Sequence, residues 1–360
     1  MEEGVPERER VQEIPDRFYS GARLSFEDGL HLYHYADLPE LARMADWARR
    51  RKHPEPIVTY IVGRNINYTN ICWVRCSFCA FYRPPGSEEG YVLPREVIFA
   101  KIREMVDAGG IEILIQGGLN PKLKTEYFED LFRSIKRNFK VHIHGLSPTE
   151  ILYIARLSRL SVLKTISRLR AAGLDTIPGA GAEILSDEIR KLIAPHKETT
   201  EEWLGVMRTA HSLGMRSSAT MMYGSLDRIE NRLEHLMRVR ALQDETGGFT
   251  AFIPWNYQPG GTELGGAKTD GHEYLRMVAL SRILLDNIDN LQASWVTQGE
   301  DVARLSLHYG VNDFGSTMFE EKVVKAAGTE FHMDETEVRR QIGVAGFEPR
   351  RRNTYYKLLD

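Results

Sequence analysis

Apolar and polar positions follow two different periods along this chain, and together they predict repeated strand–helix units. From residue 57 onward, short runs of β-branched and apolar residues are followed by longer amphipathic stretches. This alternation is typical of parallel strands connected by helices. It predicts eight strands, at residues 58–62, 111–115, 141–144, 176–177, 217–222, 249–253, 291–295 and 311–314.

The predicted helices lie between these strands, at 94–108, 148–172, 200–213 and 229–246, and several of them end at glycine. Gly109, Gly173 and Gly214 stand just past a helix, where glycine readily takes the left-handed conformation that ends it. Eight such units over about 270 residues predict an α/β fold of the (β/α)8 TIM-barrel type. An open doubly wound sheet is the alternative, but no G-x-G-x-x-G turn follows the first strand.

The two ends of the chain predict helical additions to the barrel. Apolar residues at helix spacing between 38 and 48 predict an N-terminal helical extension over 1–56, packed on a barrel of residues 57–320. Residues 321–360 predict a C-terminal helical tail of the same domain. The three consecutive arginines at 350–352 are interpreted as a solvated surface, which is the usual place for a run of like charge.

Composition and charge disfavour several classes of function. The 360 residues carry a formal net charge of −3, so nucleic-acid binding through overall charge is not expected. No stretch approaches the roughly 18 apolar residues of a membrane span, and the charged N-terminus does not resemble a signal peptide. Three cysteines in one loop also do not form a disulfide framework. We therefore expect a cytoplasmic protein that binds neither nucleic acid nor membrane.

All cysteines of the chain lie together shortly after the first predicted strand. Cys72, Cys76 and Cys79 form a C-x3-C-x2-C sequence at the barrel end where active sites are found. Clustered thiolates predict a soft-metal site. A structural zinc with a fourth ligand from elsewhere is one alternative. The spacing favours an iron–sulfur cubane in which three thiolates leave one iron open.

This cysteine spacing, with Phe78 before the third cysteine, resembles the signature of the radical S-adenosylmethionine (SAM) superfamily. Later segments narrow the resemblance to the dehypoxanthine futalosine cyclase family, from about residue 20 to the C-terminus. They are RNINYTN at 64–70, QGGLNP at 116–121, HIH at 142–144, IPGAGAE at 177–183, ATMMYG at 219–224, QDETGGF at 243–249 and FIPW at 252–255.

The resemblance implies a [4Fe-4S] cluster on the three cysteines, with SAM bound to its open iron. Reductive cleavage of SAM to a 5′-deoxyadenosyl radical would start a ring closure of a small-molecule substrate, dehypoxanthine futalosine, in menaquinone biosynthesis. A low-potential electron donor such as flavodoxin or ferredoxin is the expected partner. Two alternatives stay open: a sister radical SAM synthase that forms aminofutalosine or a deazaflavin, and a zinc-stabilised binding protein without catalytic activity.

Further site residues are expected at the strand ends. The resemblance implies SAM contacts from Phe78, Gln116, Gly117, Gly118 and Glu183. Leu119 stands where related proteins carry the acid of a Gly-Gly-Glu sequence, which removes an acidic side-chain contact.

The substrate is expected to contact polar side chains near two other strand ends. Ser147 and Asn312 are the predicted substrate contacts, and the candidates for the base that takes the last proton are Glu183, His144 and Asp313. His142 and His144 alternate with apolar residues, so both face the same side of the third strand. The candidate cations for the substrate carboxylate lie near the cysteine loop, at Arg64, Arg75 and Arg83.

Overall fold

A barrel of parallel strands lies at the centre of the computed structural model, which describes residues 7–329 and 331–359. Strands β2 to β8 form one seven-stranded sheet in chain order, and β10, β1 and β9 form a second sheet in that order. The strands are β1 (Ile57–Ile61), β2 (Gly63–Asn67), β3 (Glu112–Gln116), β4 (His142–Gly145), β5 (Thr176–Ile177), β6 (Arg216–Tyr223), β7 (Phe249–Asn256), β8 (Asn290–Leu291), β9 (Asp313–Ser316) and β10 (Glu348–Arg351).

Backbone hydrogen bonds join the two sheets into a closed ring. Strands β1 and β2 are consecutive parts of one extended stretch, separated only by Val62. The N–H of Thr59 donates to the carbonyl of Asn312 (3.0 Å), and the N–H of Ala293 donates to that of Asp313 (2.9 Å). The stretch of β1 and β2 therefore acts as one strand of the barrel, and β3 to β9 supply the other seven, all parallel. The predicted (β/α)8 barrel is confirmed.

Helices surround this barrel, and none of those described is long and apolar enough to cross a membrane. The predicted helix over 148–172 is two helices, because Arg159 takes a left-handed conformation (φ 56°) and Ser161 caps a new start. The helices are α1 (Glu7–Tyr19), α2 (Phe26–Tyr35), α3 (Leu38–Lys52), α4 (Arg95–Asp107), α5 (Thr125–Asn138), α6 (Pro148–Ser158), α7 (Val162–Ala172), α8 (Asp187–Ile193), α9 (Thr200–Ser212), α10 (Ile229–Thr246), α11 (Gly271–Leu284), α12 (Trp295–Gln298), α13 (Glu300–Ser306) and α14 (Glu335–Val344), with 3-10 turns at Leu307–Tyr309 and Lys325–Ala327.

The N-terminal segment consists of three helices that pack on the barrel. Helix α3 packs against α11, and α2 packs against α10. Leu32, Leu41 and Met44 are fully buried in these contacts. The predicted extension over 1–56 is therefore helical where it can be described, whereas residues 1–6 lie outside the described residues.

The C-terminal segment differs from the predicted helical tail, because it also contains a strand. After α14 the chain forms β10, which pairs in parallel with β1 from Ile57 opposite Glu348 to Tyr60 opposite Arg351. The prediction of a solvated basic run is also wrong for Arg352, which is only 4% exposed. It is buried because its guanidinium meets a carboxylate inside the barrel, which a run of like charge in the sequence does not indicate.

Candidate active site

A cavity of about 430 Å³ extends from the C-terminal strand ends into the barrel. Its size falls within the usual range for small-molecule sites. Besides Arg64, ten of the predicted site residues line it: Cys72, Cys76, Cys79, Phe78, Gln116, Gly117, Gly118, His144, Ser147 and Glu183. Residues distant in sequence thus meet at one site.

The cysteine loop follows β2 and is held at the cavity mouth by backbone hydrogen bonds. The N–H of Cys72 donates to the carbonyl of Arg83 (2.9 Å), which closes the loop on itself. The N–H of Ser77 donates to the carbonyl of Ile193 (3.0 Å) at the end of α8. All three cysteines are free and half-buried, so their sulfur atoms are available to a ligand that enters the cavity.

The thiols of Cys76 and Cys79 are protonated at neutral pH unless a cation binds them. Burial raises the pKa of Cys76 well above its usual value and that of Cys79 to about 11. A bound metal supplies the positive charge that converts such thiols to thiolates. Among the described residues, no three His, Cys, Asp or Glu side chains surround a single point. A cubane does not need such convergence, because each of its irons takes one thiolate, and the three soft donors therefore fit it.

Gly117 and Gly118 allow the end of β3 to pack closely against the cysteine loop. The N–H of Gly118 donates to the carbonyl of Thr69 (2.9 Å). A Cβ added at Gly118 would lie 2.4 Å from the carbonyl oxygen of Ile71 and 2.9 Å from the Cβ of Cys72. The N–H groups of both glycines are bound within the protein and are therefore not available for a SAM contact.

Glu150 is a cavity residue that the sequence analysis missed. Its carboxylate accepts hydrogen bonds from the hydroxyl of Tyr68 (2.8 Å), the N–H of Gly117 (3.0 Å) and the hydroxyl of Ser147 (2.7 Å). Burial raises its pKa to about 7. The available signal was the Ser-x-x-Glu pattern from Ser147, which marks a capping box at the start of α6. Substrate contact by Ser147 stays a prediction.

Glu183 and Lys197 form a buried ion pair beside the cysteine loop. The Lys197 ammonium donates to Glu183 Oε1 (2.6 Å) and to the carbonyl of Gly181 (3.0 Å), and lies 5.8 Å from the centre of the Phe78 ring. Burial by itself would lower the pKa of Lys197, but the carboxylates of Glu183 and Glu198 and the Cys76 thiol together outweigh it, and the pKa is raised. Lys197 comes from the loop between α8 and α9, where no sequence pattern marked it.

The two histidines of β4 share one hydroxyl partner. His144 Nδ1 and His142 Nε2 each lie 2.7 Å from Thr176 Oγ1. Burial lowers the pKa of His144 to about 3 and that of His142 to about 4, so both rings are neutral at pH 7. Only His144 of these two lines the cavity.

Asn312 and Asp313 do not line the cavity, and the predicted position of their strand is wrong. Strand β9 begins at Asp313 instead of ending there, so both residues lie away from the mouth. Asn312 accepts from Arg282 (2.6 Å) and donates to Asn290 (2.9 Å). Both carboxylate oxygens of Asp313 accept from one edge of the Arg352 guanidinium, from Nε (2.5 Å) and Nη2 (2.9 Å). It is Arg352 that reaches the cavity wall.

Of the three arginines considered for a substrate carboxylate, Arg64 alone lines the cavity. Its guanidinium already pairs with Glu104 (2.5 Å) and Glu320 (2.7 Å). Arg83 pairs with Glu89 at the surface. Arg64 and Arg83 are therefore already engaged in ion pairs, and Arg75 does not line the cavity.

The structure has a parallel barrel with three cysteines in a loop at its C-terminal mouth. Comparison with known proteins shows the class of enzyme to which this arrangement belongs. The Radical SAM superfamily profile matches residues 66–239, and that of the CofH/MqnC C-terminal region matches residues 246–360. The structure aligns with methylornithine synthase (PylB) at a TM-score of 0.73, covering 93% of this chain and 97% of that one. At 19% identity this likeness shows the fold alone. The chain belongs to the radical SAM superfamily.

Relatives define the family within that class. The chain is 47% identical to cyclic dehypoxanthine futalosine synthase of Halalkalibacterium halodurans, over 97% of this chain and 95% of the relative. It is 44% identical to the synthase of that name from Streptomyces coelicolor, over 99% and 90%. Aminodeoxyfutalosine synthase of Thermus thermophilus is 40% identical, over 97% and 95%. The chain belongs to the family of the cyclic dehypoxanthine futalosine synthases, and this membership favours an enzyme over a zinc-stabilised binding protein.

Proposed function

We propose that this protein converts dehypoxanthine futalosine to cyclic dehypoxanthine futalosine in the futalosine route of menaquinone biosynthesis. The observation that carries the proposal is the 47% identity to a synthase of that name over 97% of the chain. This identity covers both the cysteine loop and the C-terminal segment, and both segments line the same cavity.

The residues at the mouth are suited to hold the cofactors of this reaction. Cys72, Cys76 and Cys79 would bind a [4Fe-4S] cluster, and the bound cluster and SAM supply the radical that starts the ring closure. The pair of Glu183 and Lys197 offers a carboxylate and an ammonium in fixed positions, which suits the amino and carboxylate groups of SAM. Phe78 offers an aromatic face beside them.

The walls deeper in the barrel would position the substrate. Arg352, Thr354 and Tyr356 line the cavity from the C-terminal segment, and Trp255 lines it from β7. A substrate held between these residues would be positioned with its acceptor ring against the reacting carbon, and water would be displaced from it. Such positioning is the main contribution that a protein makes to a ring closure within one substrate molecule.

His144 is the candidate base that the geometry supports best. The last step of the ring closure removes one electron and one proton from the cyclised substrate. His144 lines the cavity, and its Nε2 has no hydrogen-bond partner among the described residues. By contrast, the carboxylate of Glu183 is paired with Lys197 and that of Asp313 with Arg352.

We also propose a low-potential electron donor such as flavodoxin or ferredoxin, and a cytoplasmic location. A radical SAM cluster takes single electrons at low potential, in the range of ferredoxin clusters. Three free thiols on one loop are compatible with a reducing compartment.

The proposal is tested with the anaerobically prepared, reduced enzyme, SAM and dehypoxanthine futalosine. We expect about four irons per chain, release of 5′-deoxyadenosine, and a product lighter than the substrate by two hydrogens. Cys76→Ala should lose SAM cleavage and keep the circular dichroism spectrum of the wild type. Cleavage of SAM with the substrate unchanged would contradict the cyclase.

The sister activity is the second candidate, because aminodeoxyfutalosine synthase is 40% identical over 97% of this chain. The same enzyme preparation can be given the substrate of that relative. Formation of aminodeoxyfutalosine, without conversion of dehypoxanthine futalosine, would favour the sister reaction.

A further inference from the structure

Three side chains form a hydrogen-bonded line that leads from the cavity toward the opposite end of the barrel. His144 and His142 lie two residues apart on β4, so both face the interior. Thr176 on β5 pairs with His144 in the strand register. Its hydroxyl oxygen lies 2.7 Å from Nδ1 of His144 and 2.7 Å from Nε2 of His142. The proposed function uses only His144.

We propose that His144, Thr176 and His142 form a proton relay that carries the proton released by ring closure out of the cavity. This inference rests on the proposed function, which supplies that proton. The cyclised substrate loses its electron separately, to a one-electron acceptor of the iron–sulfur class.

The chemistry of a hydroxyl group permits this transfer. A threonine hydroxyl donates one hydrogen bond and accepts others, so Thr176 can accept from one imidazole and donate to the second. His144 takes the substrate proton on Nε2 and passes its Nδ1 proton to the Thr176 oxygen. The Thr176 proton moves to Nε2 of His142, and the Nδ1 proton of His142 leaves to water. One proton enters and one leaves.

The charges around the two rings favour transfer in this direction. The Arg352 guanidinium lowers the pKa of His144 beyond the effect of burial. His142 is acted on by the carboxylates of Glu112 and Asp175, which raise its pKa, and by Lys136, which lowers it. A proton therefore moves away from the guanidinium and toward the carboxylates.

The far end of the line is open to solvent. His142 stands at the start of β4, does not line the cavity, and is half-buried. Its ring meets the edge of Tyr355 (5.3 Å between centroids), a side chain that is 46% exposed. Burial keeps both imidazoles neutral at pH 7, so neither ring retains the extra proton after transfer.

The first test compares Thr176→Val, which removes the hydroxyl at constant size, with Thr176→Ser, which keeps it. In Thr176→Val we expect SAM cleavage to continue while the cyclic product per 5′-deoxyadenosine falls about tenfold or more. The solvent deuterium isotope effect on product formation should change with it. Thr176→Ser should stay within about twofold of the wild type in both measurements, since it keeps the general acid–base group.

A matched control separates the relay from the loss of a buried hydroxyl. Thr165 on α7 is fully buried and its hydroxyl donates to the carbonyl of Ser161 (3.0 Å), outside the cavity. Thr165→Val should leave the product ratio and the isotope effect unchanged. If Thr176→Val gives the wild-type ratio and isotope effect, the relay is wrong.

The second test examines the hydrogen bonds of His142, Thr176 and His144 in the enzyme without turnover. In ¹⁵N-histidine NMR spectra of the oxidised holoenzyme, His142 and His144 should each hold one neutral tautomer in the wild type, and Thr176→Val should change the tautomer populations of both. Equal populations in the two proteins would overturn the relay. If the wild type forms no cyclic product, the proposed function fails and the role of the relay falls with it. If the wild type forms the cyclic product and Thr176→Val equals it in product ratio and isotope effect, the relay fails and the proposed function stands.

Discussion

Glycine at position 118 is required by the close approach of two backbone segments. A side chain there would meet the carbonyl oxygen of Ile71 and the Cβ of Cys72, both closer than 3 Å. Neither neighbour is the flexible end of a long side chain, so the backbone itself would have to shift. The position of the first thiol therefore depends on a residue that has no side chain.

We predict that Gly118→Ala displaces the cysteine loop and lowers the iron content after reconstitution, while the barrel stays folded. Iron analysis and circular dichroism of the anaerobically prepared variant measure the two effects. Gly205→Ala is the control, because a Cβ at that helical position meets nothing within 4 Å. It should keep full iron content and stabilise the protein by about 0.5–1 kcal/mol. A fully loaded Gly118→Ala enzyme would contradict the prediction.

Arg352 and Asp313 form an ion pair that is almost completely buried. Removal of one partner leaves the other charge buried without compensation, which typically costs about 3–5 kcal/mol. We therefore expect Arg352→Met to lower the free energy of unfolding by that amount in urea denaturation. Arg350→Met removes an arginine whose partner, Glu348, is half exposed, and surface pairs of this kind contribute about 0–1 kcal/mol. Equal losses of unfolding free energy in Arg352→Met and Arg350→Met would show that the buried pair stabilises the protein no more than the surface pair does.

At the scale of elements, the start of α6 is both a helix cap and part of the cavity wall. The capping box of Ser147 and Glu150 satisfies the first backbone N–H groups of the helix. The same carboxylate also accepts from Tyr68 and from the end of β3. One side chain thus connects β2, β3 and α6 at the mouth of the barrel.

The raised pKa of Glu150 predicts a dependence of stability on pH. Burial raises this pKa from its usual 4.5 to about 7. Between these values the folded protein keeps a proton that the unfolded chain has lost. The contribution of Glu150 is therefore fully present below pH 4.5 and is lost as pH rises through 7, a fall of about 3 kcal/mol.

Glu150→Gln should flatten this part of the pH profile, because glutamine keeps the size of the side chain and does not titrate. The measurement is urea denaturation of variant and wild type at several pH values from 4.5 to 7.5. Glu202→Gln controls for the loss of a capping box, since Glu202 caps α9 with Thr199 at an exposed site. A Glu150→Gln profile as steep as that of the wild type would refute the assignment.

At the scale of the whole molecule, the C-terminal segment completes the barrel. Strand β10 pairs with β1, and Arg352, Thr354 and Tyr356 close the deep end of the cavity. The barrel and the tail are therefore not independent parts. The tail brings the guanidinium that neutralises Asp313 inside the ring of strands.

We expect a chain that ends at residue 346 to lose the cooperative thermal transition, because it lacks β10 and leaves Asp313 without its partner. A chain that ends at residue 357 keeps these contacts and should melt cooperatively near the wild type. Circular dichroism during heating distinguishes the two. A cooperative transition in the shorter chain would mean that the barrel folds without its tail.

Prediction from the sequence succeeded where local pattern is sufficient. The eight predicted strands and the helix over 229–246 depend on periodicity and on glycine stops, and each has a counterpart in the structure. The strand predicted over 291–295 is shorter, however, and covers only Asn290–Leu291. The position of β9 was wrong because the ends of a short strand depend on its neighbours. Lys197 and Arg352 were missed because they come from a loop and a tail, where no spacing relates them to the cysteines.

The sequence by itself determined the order of strands and helices, the cysteine loop and the family, since these depend on residues close together in the chain. Only the tertiary structure decided which polar groups are neutral, paired or open to the cavity. Burial and the approach of opposite charges set those states, and both arise only when distant segments meet inside the closed barrel. For that reason His144 lines the cavity, whereas Asp313 is paired with Arg352 and does not line it.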